Sequence, residues 1–370
     1  MRVTRRCVLW ALVGVVGVGA LAVLAGAIPI RASVGHWPPT RWLLQLAKGR
    51  AVATQSLAVE APPPLDDPAR VLRGAGHYQG GCRPCHGAPG IEPSRITEEM
   101  TPTPPLLAVH RIDERSDREL FFVVKHGIKF TGMPAWVARE RDDEVWDVVA
   151  FLRRLPDLDE AGYAGLVWGP PRDAVEPAAG DAGTEEAAPG IVREICARCH
   201  GLDGTGRAGD AFPHLAGQRA AYLQHSLAAY TSGARASGIM QPIAVAIEAS
   251  ERAAAVAWYA SRARPSEPTL GPADTLRVLG RALAEQGDAA RRIAACDACH
   301  GSDAPTPGVY PRLSGQPADY LERQLELFAR GVRGGSIWSA IMREVAKPLT
   351  PADRAALAAW YGRDGATPPE

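Results

Sequence analysis

The chain has 370 residues, room for two or three domains, and its 41 basic residues are balanced by 41 acidic ones. A formal charge of zero gives no basic footprint of a nucleic-acid binder, so no such partner is expected. Glycine and proline are plentiful, at 38 and 32, while alternating β-branched runs are scarce, so an all-α fold of short helices and many loops is expected.

Arg2, Arg5 and Arg6 precede an uncharged run from Cys7 to Ile30, long enough to cross a bilayer as a helix. The basic flank predicts a cytoplasmic N-terminus, with everything after Ile30 exported. Residues 1–30 are therefore read as an uncleaved signal-anchor helix in a bacterial inner membrane. The competing reading is cleavage at Ala25-Gly26-Ala27, which has the small residues of a signal-peptidase site. Arg5-Arg6 has the form of a twin-arginine signal, but that route carries folded proteins and is discounted. Residues 31–66 read as a tether. Its Trp37-Pro38-Pro39 and Pro62-Pro63-Pro64 clusters argue against regular structure beyond a short amphipathic helix at Arg41–Ala47.

A first domain is expected over 67–166. A helix with Val71, Leu72 and Tyr78 on one side leads into Cys82-Arg83-Pro84-Cys85-His86-Gly87. A proline-rich loop through Pro105 follows, then a helix at Leu120–Lys125 and the loop Gly127 to Trp136. The helix Asp142–Arg154 carries Val145, Val148, Val149 and Leu152 at i, i+3, i+4 and i+7. Residues 167–186, rich in Pro, Ala, Gly, Asp and Glu, cannot build a core and read as a linker.

Domains over 187–264 and 272–366, joined by a second proline-bearing linker, form an internal repeat. Phe212-Pro213-His214-Leu215-Ala216-Gly217-Gln218 matches Tyr310-Pro311-Arg312-Leu313-Ser314-Gly315-Gln316. Ala221-Tyr222-Leu223 matches Asp319-Tyr320-Leu321, and Ala257-Trp258-Tyr259 matches Ala359-Trp360-Tyr361. The last helix has a marked start, with Thr350 as N-cap, Pro351 at N1 and Asp353 at N3.

Each domain holds one C-x-x-C-H phrase, at Cys82/Cys85/His86, Cys196/Cys199/His200 and Cys296/Cys299/His300. That phrase attaches c-type haem. Two thiols on one turn reach the two vinyl groups, and the following histidine lies under the iron as proximal ligand. A zinc site would need further ligands nearby, and a redox dithiol would sit in a βαβ pattern; neither explains the three histidines. Three covalent haem c groups are therefore expected. Small domains of this size need such a staple.

A low-spin carrier needs a sixth iron ligand, and methionine raises the potential relative to a second histidine. Met133, Met240 and Met342 each fall late in a domain and are the expected axial ligands. Met240 and Met342 are in register when counted back from the paired Trp-Tyr ends. Met100 sits too close to His86 in sequence to wrap over a haem. His77, His110, His126, His214 and His225 are spare, with His126 and His225 the rivals to test.

Residues 190–366 resemble the dihaem c-four cytochromes through the Pro-x-Leu-x-Gly-Gln phrase, the Tyr-Leu helix and the late Met. The resemblance implies that the carbonyls of Pro213 and Pro311 accept the proximal histidine N–H and orient the ring. Residues 68–158 look like a monohaem class I cytochrome c, with Gly132-Met133-Pro134-Ala135-Trp136 as its axial loop. The expectation is a trihaem electron carrier in the periplasm, working in a respiratory chain between a quinol-oxidising complex or dehydrogenase and a terminal oxidase. The alternative is the electron-accepting subunit of a membrane-bound dehydrogenase, such as an alcohol or gluconate dehydrogenase. No substrate chemistry of its own is expected. The first haem, beyond the acidic linker, is read as a mobile contact with a redox partner.

Overall fold

Helices account for nearly every regular element of the computed structural model, which describes residues 5–28, 30–109, 112–169, 186–207, 210–264, 275–301, 308–336 and 338–363. Helix α1, Arg5–Leu24, has no buried residue. Among the described residues it is the one helix long and apolar enough to cross a membrane. Where a tether with one short helix was expected, α2 runs over Pro38–Gln55. Pro38 and Pro39 occupy its first turn, where a missing N–H costs nothing, so they open the helix rather than forbid it. Its end packs toward the first bundle, with Val52 and Ser56 buried.

The first bundle contains α3 (Pro68–Gly81), α4 (Arg83–His86), α5 (Arg95–Glu98), α6 (Asp117–His126), α7 (Asp142–Arg154) and α8 (Glu160–Trp168). Asp67 caps α3, its carboxylate accepting from the Ala69 N–H at 2.9 Å. Ser116 and Glu119 form a capping box on α6. Acidic Asp142, Asp143 and Glu144 open α7, and Arg153 and Arg154 close it, matching the helix dipole. Helices α3 and α7 cross where α3 has no side chain. A Cβ on Gly74 would stand 2.0 Å from the Asp147 carbonyl oxygen. Tyr78, Val145, Val149, Phe151 and Leu155 fill the core beneath this crossing.

In the second unit a π-type turn, Val192–Cys196, runs into α9 (Ala197–His200). Then come α10 (Ala220–Thr231), α11 (Met240–Ala246) and α12 (Ala249–Ala260). The third unit has α13 (Thr275–Glu285), α14 (Asp297–His300), α15 (Ala318–Ala329), α16 (Ser339–Ala346) and α17 (Pro351–Tyr361). Gly280 repeats the role of Gly74, with α17 so close that a Cβ would lie 2.0 Å from the Ala356 carbonyl oxygen. Thr350 and Asp353 form the capping box of α17. Among the described residues the extended pairings are short: a two-residue parallel pairing of Gln316–Pro317 with Gly362–Arg363 and isolated bridges Ala88–Ile91 and Asp288–Ile293.

The three units have separate apolar cores. Most of both expected linkers, and His110, lie outside the described residues. The first unit is nevertheless docked on the others. Leu72 of α3 joins Ala211 and Phe212 in a small apolar seam. Asp147 on α7 receives Arg70, Arg73 and, from the third unit, Arg323. Buried Glu144 accepts from the Ser237 hydroxyl at 2.7 Å and the Gly238 N–H at 2.5 Å. Arg207 caps the end of α8 by donating to the carbonyls of Gly165, Leu166 and Val167. The expected mobile first unit is thus replaced by one held through buried polar contacts.

Candidate cofactor sites

Each C-x-x-C-H phrase forms a single helical turn at the end of a longer approach. In the first unit α3 delivers Cys82, and the His86 N–H returns to the Cys82 carbonyl at 2.9 Å. In the third, the His300 N–H makes the same bond to Cys296 at 2.9 Å. This winding puts the two thiols and the imidazole of each phrase on one short turn. None of the described cysteines is in a disulfide. Burial pushes the Cys82 thiol up to about 12, and the Cys196 and Cys296 thiols up to about 11. These are apolar surroundings suited to a neutral thioether.

All three histidines are engaged in one way. Nδ1 of His86 lies 2.9 Å from the Pro105 carbonyl, that of His200 3.0 Å from Pro213, and that of His300 2.9 Å from Pro311. A carbonyl only accepts, so Nδ1 carries the proton and Nε2 keeps its lone pair for a metal. Burial lowers the pKa of each ring, against the pull of the proline carbonyl, and favours the neutral imidazole. Pro105 carries the weakest of the three sequence signals. Its signal was Pro105-Leu106-Leu107, a shorter version of Pro213-His214-Leu215 that lacks the Gly-Gln ending.

A tyrosine locks each turn from the other side. The Tyr78 hydroxyl donates to the Gly87 carbonyl at 2.8 Å, and Tyr259 to Gly201 at 2.9 Å. Tyr361 reaches the Asp297 carboxylate. Burial raises the pKa of all three phenols, so they remain donors.

The second and third sites open into one continuous cavity of ≈ 400 Å³. Cys196, Cys199, His200 and Met240 line it from the second unit. Cys296, Cys299, His300 and Met342 line it from the third. The structure thus gathers each expected proximal histidine and its expected methionine around a shared apolar space. In the first unit Met133 is half-buried in the loop between α6 and α7, its N–H on the Thr131 hydroxyl at 3.1 Å. The Met100 methyl packs against Gly132, so the methionine set aside on sequence distance lies beside the expected ligand. Trp136, from the same loop, is wedged between His77, 4.3 Å between ring centroids, and Gly238 of the second unit.

The spare histidines fall elsewhere. His214 is buried and engages both ring nitrogens, Nδ1 with the Gly315 carbonyl at 2.8 Å and Nε2 with Asp210 at 3.1 Å. His126 is exposed at the end of α6 against Phe122, and exposed His225 borders the shared cavity. Among the described residues no group of three or more His, Cys, Asp or Glu side chains is gathered as a metal cage. The cysteine pairs therefore lack the partners a zinc site requires. Paired thiols, a neutral imidazole with Nε2 available, an apolar cavity and a thioether sulfur fit covalently held haem.

A family model described as cytochrome c oxidase, cbb3-type, subunit III matches residues 69–152, and a cytochrome c model matches residues 187–263. A thiosulfate dehydrogenase electron acceptor from Stutzerimonas stutzeri is 35% identical over 171 residues, 46% of this chain and 79% of that protein. Cytochrome c-552 of Acidithiobacillus ferridurans is 34% identical, over 47% of this chain and 75% of its own. Cytochrome c4 of Azotobacter vinelandii is 33% identical, over 50% of this chain and 89% of its own.

Proposed function

The chain belongs to the c-type cytochromes, with a cytochrome c4-like dihaem region and a domain like subunit III of cbb3-type oxidases, and we propose that it is a membrane-anchored, trihaem electron carrier facing the periplasm. The observation that carries this reading is the threefold recurrence of a C-x-x-C-H turn whose histidine donates its Nδ1–H in a hydrogen bond to a proline carbonyl. Haem c supplies a one-electron iron couple. Cys82/Cys85, Cys196/Cys199 and Cys296/Cys299 would hold it covalently, and His86, His200 and His300 would offer Nε2 to its iron. Pro105, Pro213 and Pro311 fix the ring planes. Met133, Met240 and Met342 would supply a thioether sulfur to each bound haem, which would suit relay of electrons rather than activation of a small molecule.

The relative named a thiosulfate dehydrogenase electron acceptor supports a partner of that kind, so the electron donor is a thiosulfate-dehydrogenase-like enzyme. Electrons then pass to a terminal oxidase or another acceptor. The apolar helix Arg5–Leu24 supports anchoring. The mature holoprotein should carry three haems by mass, and mixing with a thiosulfate dehydrogenase and thiosulfate should reduce all three. Met133→Ala should lose one methionine-to-iron charge-transfer band and bind carbon monoxide at one haem, whereas Met100→Ala should do neither. Ready carbon monoxide binding and rapid peroxide reduction by the resting wild type would replace the carrier reading with an enzymatic one.

A further inference from the structure

The shared cavity contains two cations that the site described so far does not use. Arg235, 8% exposed, and half-buried Arg333 both line it. They are equivalent in the repeat, since one offset separates Tyr222 from Tyr320 and Arg235 from Arg333. Their contacts cross between the units. Arg235 of the second unit donates to the Tyr320 hydroxyl of the third at 3.3 Å. Arg333 of the third donates to the Tyr222 hydroxyl of the second at 2.8 Å. Both also donate to one oxygen, Gln324 Oε1, at 3.4 and 2.6 Å. Arg235 adds the Ser226 hydroxyl at 3.2 Å. Each guanidinium lies over an aromatic ring, Tyr230 for Arg235 and Phe328 for Arg333.

Every one of these partners is a hydroxyl, an amide oxygen or an aromatic ring. Among the described residues no carboxylate stands within ion-pair distance of either arginine. The carboxylates around the cavity are committed: Asp147 to Arg70, Arg73 and Arg323, Glu144 to Arg141, and Asp210 to His214. Asp319 is exposed. Two like charges bonded to a single amide oxygen in a low-dielectric space repel, and buried charges need counter-charges. The field is strong enough to act on Tyr222. Burial alone would raise its pKa, yet Arg333 and Arg235 bring it down to about 7.

We propose that Arg235 and Arg333, bridged by Gln324 and steadied by Tyr320 and Tyr222 of the opposite units, form an anion clamp for carboxylates of the cofactors held at His200 and His300. This rests on the haem reading of those two sites. A c-type haem carries its two carboxylates at the edge away from the thioether bonds, so the clamp supplies the counter-charge the cysteines do not. Because each unit's arginine is held by the other unit's tyrosine, the charge beside either cofactor depends on both units being docked. A cation beside a haem carboxylate disfavours the oxidised, more positive iron, so the clamp raises the potentials of the pair. The arginines are positioning residues and take no part in electron transfer themselves.

The test uses the full-length holoprotein, with haem content by mass followed by redox titration at several pH values. Arg235→Gln and Arg333→Gln should each keep three haems and shift one haem's reduction equilibrium about three- to tenfold toward the oxidised form, at most about 59 mV. That haem's potential should also become pH-dependent between pH 5 and 8, because its carboxylate no longer has a fixed counter-charge. Arg235→Lys should restore most of the potential. If the glutamine variants mature poorly, Arg235→Lys and Tyr320→Phe carry the test, the latter with a smaller shift in the same direction. Exchanging chloride for phosphate at constant ionic strength should leave the wild type unmoved, because the clamp is already filled. Saturable movement with phosphate would assign the clamp to a soluble anion and overturn the proposal. So would variants with three haems, wild-type potentials and no pH dependence. A wild type that lacks haem at Cys196/Cys199 or Cys296/Cys299 would instead overturn the haem reading beneath it.

Discussion

His77 shows how one side chain acquires a property that its position in the chain does not announce. It lies five residues before Cys82, and in the fold it is pressed against Trp136 with Arg198 of the second unit nearby. Burial, and secondarily the Arg198 charge, lower its pKa to about 4. The unfolded chain therefore takes up a proton near pH 6.5 that the folded protein refuses until about pH 4. Stability is complete above pH 6.5 and falls as the pH drops through that window, by on the order of 2–3 kcal/mol. Urea unfolding of the holoprotein at pH 7 and pH 4.5 should show this slope, and His77→Gln should flatten it. An unchanged slope would place the acid sensitivity elsewhere. Pro105 teaches the same lesson from the opposite direction. Its carbonyl does for His86 what Pro213 and Pro311 do for their histidines, yet its sequence surroundings are degraded enough to hide it.

At the scale of elements, the first and third units are each built on two helices that touch through a glycine. Gly74 on α3 and Gly280 on α13 let a neighbouring carbonyl approach to where a Cβ would stand. Gly280→Ala should therefore cost about 1–3 kcal/mol or more through overpacking, read as a fall in thermal midpoint. Gly165, inside α8, meets nothing within 4 Å, so Gly165→Ala should be neutral or gain up to about 1 kcal/mol from backbone entropy. Equal effects at the two positions would sink the argument from close approach. The boundaries of α7 and the start of α17 were readable because periodicity, end charges and a capping box agree there. Helix α2 is harder to see in the sequence because Pro38-Pro39 breaks a helix interior but suits its first turn.

At the scale of the whole molecule, the chain closes on itself through crossed polar contacts. Gln218 takes both the N–H and the carbonyl of Arg312, at 2.9 and 3.0 Å, and Gln316 does the same for His214, at 3.0 and 2.7 Å. Each clamp grips the residue next to the proline that orients a histidine, so the two histidine supports are tied together. The first unit joins through Asp147, Glu144 and Arg323. Asp147→Asn would leave Arg73 and Arg323 without their carboxylate, at a cost of about 3–5 kcal/mol. The first unit should then loosen, seen as faster proteolysis and a larger radius of gyration in solution scattering, with haem content unchanged. A variant as compact and resistant as the wild type would show that the apolar seam at Leu72 and Phe212 suffices.

The sequence by itself determined the class of cofactor and most of the helices. Three C-x-x-C-H phrases, a late methionine after each and a duplicated Pro-x-Leu-x-Gly-Gln phrase are local patterns, and local patterns survive in one dimension. Tertiary structure alone decided which distant residues meet. Nothing in the spacing says that Gln218 reads Arg312, that Met100 lies against the Met133 loop, or that Arg235 and Arg333 share one oxygen. The linker composition even argued for a free first unit, because composition reports what a segment cannot bury and is silent about the surfaces on either side of it. Docking is set by complementary charge and shape between the faces of three units with separate cores.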